Sequence, residues 1–229
     1  IASSASPHVY AFLFPNPNSH LTFPFTDTHT LCYKFDVTAK PRPGQPRCVV
    51  KGHVDTELFL SYDCDDDKIQ FMSPLGEEVK ATDDWKTQIE TLKDVGDFLR
   101  EQLPDTELLP AVGADPPILQ VNVTCQRDGA GRTSASWKFA FNGRLCLHVD
   151  SENVTLTVVH SGGRRMKEKW ESDRDVTQFL KKISMGDCKS WLSRFLVHWK
   201  KMLKTTGNPG TQPASPAPRS RSWSSPGSS

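Results

Sequence analysis

The chain has 229 residues, 36% of them hydrophobic, with 17 prolines and a formal net charge of +1 at pH 7. That length supports one large domain or two small ones with a sizeable core, and the balanced charge singles out no polyanion or membrane partner. No stretch reaches the roughly 20 consecutive apolar residues of a membrane-spanning helix.

The opening stretch is apolar but broken by Pro15, Pro17 and Pro24. Residues 1–26 read as a leader remnant or a disordered N-terminal extension. Four short strand candidates follow: TLCYKFDV (30–37), RCVVKGHV (47–54), ELFLSYD (57–63) and KIQFM (68–72). A polar helix over 76–103 then carries Trp85, Ile89, Leu92, Leu99 and Leu103 near helical spacing, with a bend expected at Gly96. Prolines end it. The pattern repeats with strands over 118–125, 136–141, 144–150 and 153–159, the second and third separated by Asn142-Gly143, a hairpin signal. A helix over 162–183 runs on into ISMGDCKSWLSRFLVHWKK (183–201), with a break expected at Gly186 and an apolar side of Ile183, Cys188, Leu192, Phe195, Leu196 and Trp199. The Ser/Pro/Gly-rich segment 205–229 buries too little apolar surface to order and reads as a stalk or tail. A stalk implies something to stand on, so either an anchor beyond residue 229 or a released form is expected.

Four strands and a helix, twice over, predict an α+β fold in which eight antiparallel strands form one sheet over residues 27–204 and two long helices cross one face. Two separate lobes of about 85 residues would each keep an open sheet edge and a marginal core.

Six widely spaced cysteines, none in a C-x-x-C pair, argue against zinc and thioredoxin-type sites and for an oxidising compartment. Sequons at Asn122 and Asn153 agree with export. In ILQVNVTC, Leu119, Val121, Val123 and Cys125 share the face expected to meet the helices, and Asn122 lies on the other. Cys125 and Cys188 therefore face each other, and a bond between them closes a loop worth roughly 4 kcal/mol. Cys32 and Cys48 lie on the first two strands, a placement compatible with a second bond. Cys64 and Cys146 are left to pair or stay free, because sequence does not fix connectivity.

Residues 77–105 hold nine acids against four bases, whereas 164–204 hold twelve bases against five acids. The two ridges thus present opposed rims suited to orienting a partner. The four aspartates around Cys64 lack the glycine and glutamate of a calcium loop and read as a solvated hairpin tip. No nucleophile-elbow, Walker or dinucleotide motif occurs, so neither an enzyme nor a cofactor or metal site is expected, and an exported chain is not expected to meet nucleic acid.

DTHTLCYKFDV, SPLGEEV, RRMKEKWES and SMGDCKSWL, in this order, resemble the UL-sixteen-binding and retinoic-acid-early-inducible proteins, stress-induced relatives of MHC class I. The resemblance spans about residues 27–204. It implies an α1–α2 platform without an immunoglobulin-like domain, without beta-2-microglobulin and without peptide. The implied partner is the homodimeric activating lectin-like receptor of natural killer cells, the group-two member D receptor, engaged diagonally across the helix tops. Attachment to the outer cell surface through a GPI anchor or a transmembrane helix is implied as well. The resemblance supports Cys125–Cys188 and Cys32–Cys48 as bonds and makes Cys64 familial, but offers no counterpart for Cys146. The candidate receptor contacts are the exposed positions in the second half of each ridge. On the first these are Asp97, Arg100, Glu101 and Asp105. On the second they are Gln178, Lys181, Lys182, Met185, Lys189 and Ser193, with Met185 as an apolar anchor ringed by charge. The competing reading is a groove lined by Trp85, Leu92 and Trp170 that presents a peptide or lipid.

Overall fold

A computed structural model describes residues 28–38, 41–103 and 118–206. The expected N-terminal extension, the tail beyond residue 206 and Asp105 lie outside the described residues. The strands are β1 (His29–Thr38), β2 (Cys48–Val54), β3 (Glu57–Asp63), β4 (Lys68–Phe71), β5 (Ile118–Arg127), β6 (Thr133–Phe141), β7 (Arg144–Asp150) and β8 (Thr155–Val158). They form one antiparallel sheet in the order β4-β3-β2-β1-β5-β6-β7-β8. The joint between halves is β1 against β5, paired from His29 opposite Arg127 to Thr38 opposite Ile118. This pairing covers the edge that each half would otherwise expose, so the two-lobe arrangement does not occur. Asn142 and Gly143 both have positive φ, 48° and 79°, as the tight β6–β7 hairpin requires.

The ridges are more segmented than the sequence predicts. The first consists of α1 (Ser73–Lys80) and α2 (Asp84–Gln102). The helix is not interrupted at Gly96. Gly96 lies inside α2, and a Cβ there would sit 3.0 Å from the Cys48 sulfur. Its role is close approach of helix to sheet, not flexibility. The second ridge consists of α3 (Arg164–Glu171), α4 (Arg174–Lys181), a π-helical stretch (Lys182–Cys188) and α5 (Lys189–Thr206). The interruption expected at Gly186 is present as the π-helical stretch, and a second, unexpected one falls at Ser172–Asp173, where Asp173 caps α4 by accepting from the amides of Asp175 and Val176. Gly186 sits within the π-helical stretch, whose turn is accompanied by Ser184 Oγ donating to the Leu180 carbonyl at 2.6 Å.

Two disulfides form, one tying the second ridge to the sheet and one joining β2 to the end of β3. Cys125–Cys188 forms as expected. The second is Cys48–Cys64, not Cys32–Cys48. Cys48 stands opposite Val37, and Cys32 opposite His53, so five residues, about 17 Å of strand, separate the two along β1. They also point to opposite faces: Cys48 is fully buried under α2, whereas Cys32 lies on the far side, half-buried and unbonded. Burial pushes the Cys32 thiol above its ordinary pKa. Cys64 follows β3 and donates its amide to the Cys48 carbonyl. Cys146 is a buried free thiol.

Candidate functional site: the helix tops

The space between the ridges is filled by aromatic rings. Trp170 of α3 is fully buried. It meets Phe139 of β6 edge-on at 4.9 Å and Phe98 of α2 at 5.8 Å. Phe98 also meets Phe179 of α4 at 5.1 Å, joining the ridges directly. Toward α5, Phe59 of β3 packs on Phe195 and Trp199, and Tyr33 of β1 on Trp191. Such offset and edge contacts add to the large apolar area each ring buries. Three indole N–H groups then latch neighbouring elements. Trp137 donates to the Leu180 carbonyl, Trp170 to Gln102 Oε1 and Trp199 to the Leu75 carbonyl, each at 3.1 Å. Trp85, Leu92 and Trp170 do not line one cavity. Leu92 and Trp170 are buried in the core, whereas Trp85 packs on Phe71 of β4.

The Phe98–Phe179 contact organises the candidate contacts, because Asp97 and Glu101 flank the first ring in sequence and Gln178, Lys181 and Lys182 flank the second. Those five are exposed. Arg100 is half-buried and committed internally, paired with Asp97 and, at 3.2 Å, with Asp65. The aspartate turn after β3 is therefore more than a solvated tip: Asp65 and Asp67 clasp α2 through Arg100 and Lys93. Met185 is half-buried against the core, which divides it between anchor and packing residue. Lys189, half-buried, donates to the Thr133 carbonyl at 3.4 Å, at the sheet rather than the ridge top. Ser193 is half-buried as well.

Sequence reasoning passed over Asp187, an acid set in the basic ridge between Gly186 and Cys188. Burial raises its pKa, against the opposing pull of Lys182 and Arg194. Asp67 shifts the other way: the Tyr62 hydroxyl, at 2.7 Å, and then Lys93 hold its carboxyl below the usual range. The two act oppositely on stability. Asp67 contributes stability above the ordinary carboxylate pKa, lost as pH falls through its depressed folded value. Asp187 costs stability above its raised folded pKa, and that cost vanishes as pH falls through it. Thermal unfolding of Asp187→Asn is therefore expected to give a higher Tm at pH 7, with the gain disappearing in acid. Asp67→Asn is expected to lower Tm at pH 7.

A single eight-stranded sheet carrying two helical ridges on one face, the second tied to it by Cys125–Cys188, is the architecture of a class I histocompatibility platform, and residues 27–203 match the family model for class I histocompatibility antigen, domains alpha 1 and 2. Human UL16-binding protein 1 is 42% identical over 224 residues, covering 96% of this chain and 91% of that protein. Human UL16-binding protein 2 is 43% identical over 171 residues, covering 75% of this chain and 70% of that protein. Human retinoic acid early transcript 1E is 39% identical over 182 residues, covering 79% and 68%. The chain belongs to the UL16-binding and retinoic-acid-early-transcript family of class I-like proteins.

Proposed function

We propose that this chain is a cell-surface or released ligand of the activating lectin-like receptor of natural killer and T cells, engaged by the homodimeric receptor across the tops of both ridges. The observation that carries the reading is the aromatic bridge between Phe98 and Phe179. It fills the space a presented peptide would need and leaves an acidic rim at Asp97 and Glu101 facing a basic rim at Lys181 and Lys182. A two-fold receptor placed across such a surface meets opposite charge on its two sides, which fixes orientation and accelerates encounter. The exposed lysines on the outer face of the sheet give beta-2-microglobulin no apolar seat, in keeping with a platform that works alone.

Surface plasmon resonance of the folded chain against the receptor ectodomain tests the reading. Saturable binding is expected, and its absence at high micromolar receptor would overturn it. The double variant Lys181→Glu/Lys182→Glu is expected to slow association and flatten its salt dependence, while unchanged kinetics would move the contact away from the basic rim. Presentation of a peptide or lipid predicts instead a stoichiometric ligand in acid or organic eluates of the purified protein, read by mass spectrometry.

A further inference from the structure

The outer face of the sheet, opposite the ridges, holds a concavity of about 570 Å³ whose lining includes Lys34, Lys51, Lys138, His53 and Asn122. The strand register sets four of these in a row. Lys51 on β2 stands opposite Lys34 on β1, Lys34 opposite Asn122 on β5, and Asn122 opposite Lys138 on β6. At about 4.8 Å per strand step, the row crosses the sheet as a line of cations. All three lysines are exposed, and none has an acidic partner within ion-pair distance among the described residues. The lining also contains one acid, Asp36, one row away, which accepts from Gln120 at 3.1 Å.

Like charges directly opposite across a strand pair repel and destabilise. Lys34 and Lys51 form such a pair at the heart of the sheet. Beside them, the His53 Nδ1 is buried without a hydrogen-bond partner. Burial and then Lys34 hold the His53 imidazole below its ordinary pKa, and the three lysines outnumber the single acid of the lining, Asp36, leaving the concavity net positive. We infer that this concavity binds a sulfated polysaccharide chain laid along the lysine row. Ala140 and Leu145 also line the concavity, but the three exposed lysines dominate its charge, and a flexible chain of regularly spaced anions matches their spacing across the strands. A sulfated polysaccharide supplies a line of anionic charge without apolar surface. Asn122 stands between Lys34 and Lys138, so a glycan attached there fills the same space. The site is open in molecules whose Asn122 is unmodified. It lies on the face away from the ridges and is independent of receptor engagement.

The test uses the full chain carrying Asn122→Gln, titrated with heparin and with chemically desulfated heparin in surface plasmon resonance. The heparin affinity is expected to fall steeply with salt. Adding Lys34→Ser, Lys51→Ser and Lys138→Ser is expected to weaken it on the order of tenfold, the sum of three exposed charge pairs. Heparin is also expected to raise the Tm of the Asn122→Gln chain and to raise that of the lysine-substituted chain less at the same concentration. A basic ridge start at Arg164 and Arg165 is the control: Arg164→Ser/Arg165→Ser in the same background is expected to leave binding unchanged. Equal binding after removal of the three lysines, equal binding of desulfated heparin, or loss confined to the Arg164/Arg165 variant would each overturn the inference. An acidic protein captured on the row in place of heparin would overturn it as well.

Discussion

The double variant Cys125→Ala/Cys188→Ala is expected to lose about 4 kcal/mol of unfolding free energy, the loop-closure value for a crosslink between residues this far apart. The bond joins positions separated by 63 in sequence, so its removal frees a long segment in the unfolded chain, and alanine leaves no buried hydroxyl behind. Cys48→Ala/Cys64→Ala, with a separation of 16, is expected to cost about 3 kcal/mol by the same reasoning. Urea unfolding checks both, read as a shift of midpoint at comparable slope. The larger effect has a functional side. Cys188 ends the π-helical stretch that follows Lys181 and contains Lys182 and Met185, so the staple also positions the basic rim. Receptor affinity is expected to fall with the first pair and to hold with the second. An unchanged urea midpoint in the first would show that Phe195 and Trp199, packed on Phe59, hold α5 unaided.

Trp170→Ala is expected to cost about 3–5 kcal/mol, the range for deleting a large buried aromatic. The side chain is fully buried, and its loss leaves a void bounded by Phe98 and Phe139. It also deprives buried Gln102 of the indole donor. Trp170→Phe separates the two contributions. It keeps most of the volume and loses the N–H, while Lys169 Nζ still donates to Gln102 Oε1 at 3.4 Å, so a smaller loss of about 1 kcal/mol is expected from the one missing hydrogen bond. The alanine variant is further expected to bind an apolar fluorescent probe that the parent chain does not, because the void opens where other class I-like platforms would place a groove. A parent-like urea midpoint together with no probe binding would mean that the ridges collapse onto each other without the ring.

Much of this is written locally in the chain. Strand alternation in ILQVNVTC put Cys125 among the buried residues and Asn122 on the far face, because side-chain direction on a strand needs only parity. Asn142-Gly143 marked its hairpin, because positive φ at two successive positions admits few residues. The spacing of Leu92, Leu99 and Leu103 marked the buried side of α2. Asp173 also carries a local capping signal for α4, which the sequence reading did not use.

What sequence determined by itself was the alternation, the turns and the charge of each ridge, since each depends on neighbours a few residues away. What only tertiary structure decided was which surfaces met. Cys48 bonded Cys64 rather than Cys32 because register placed Cys32 five residues along the strand and on the opposite face. Gly96 proved a contact with sulfur rather than a hinge, since what a glycine is for depends on what approaches it. Arg100 was paired with Asp65 from the turn after β3, and three lysines from separate strands became one row. These outcomes depend on strand pairing and helix docking, which bring together residues far apart in the chain, and no local pattern records such a distance.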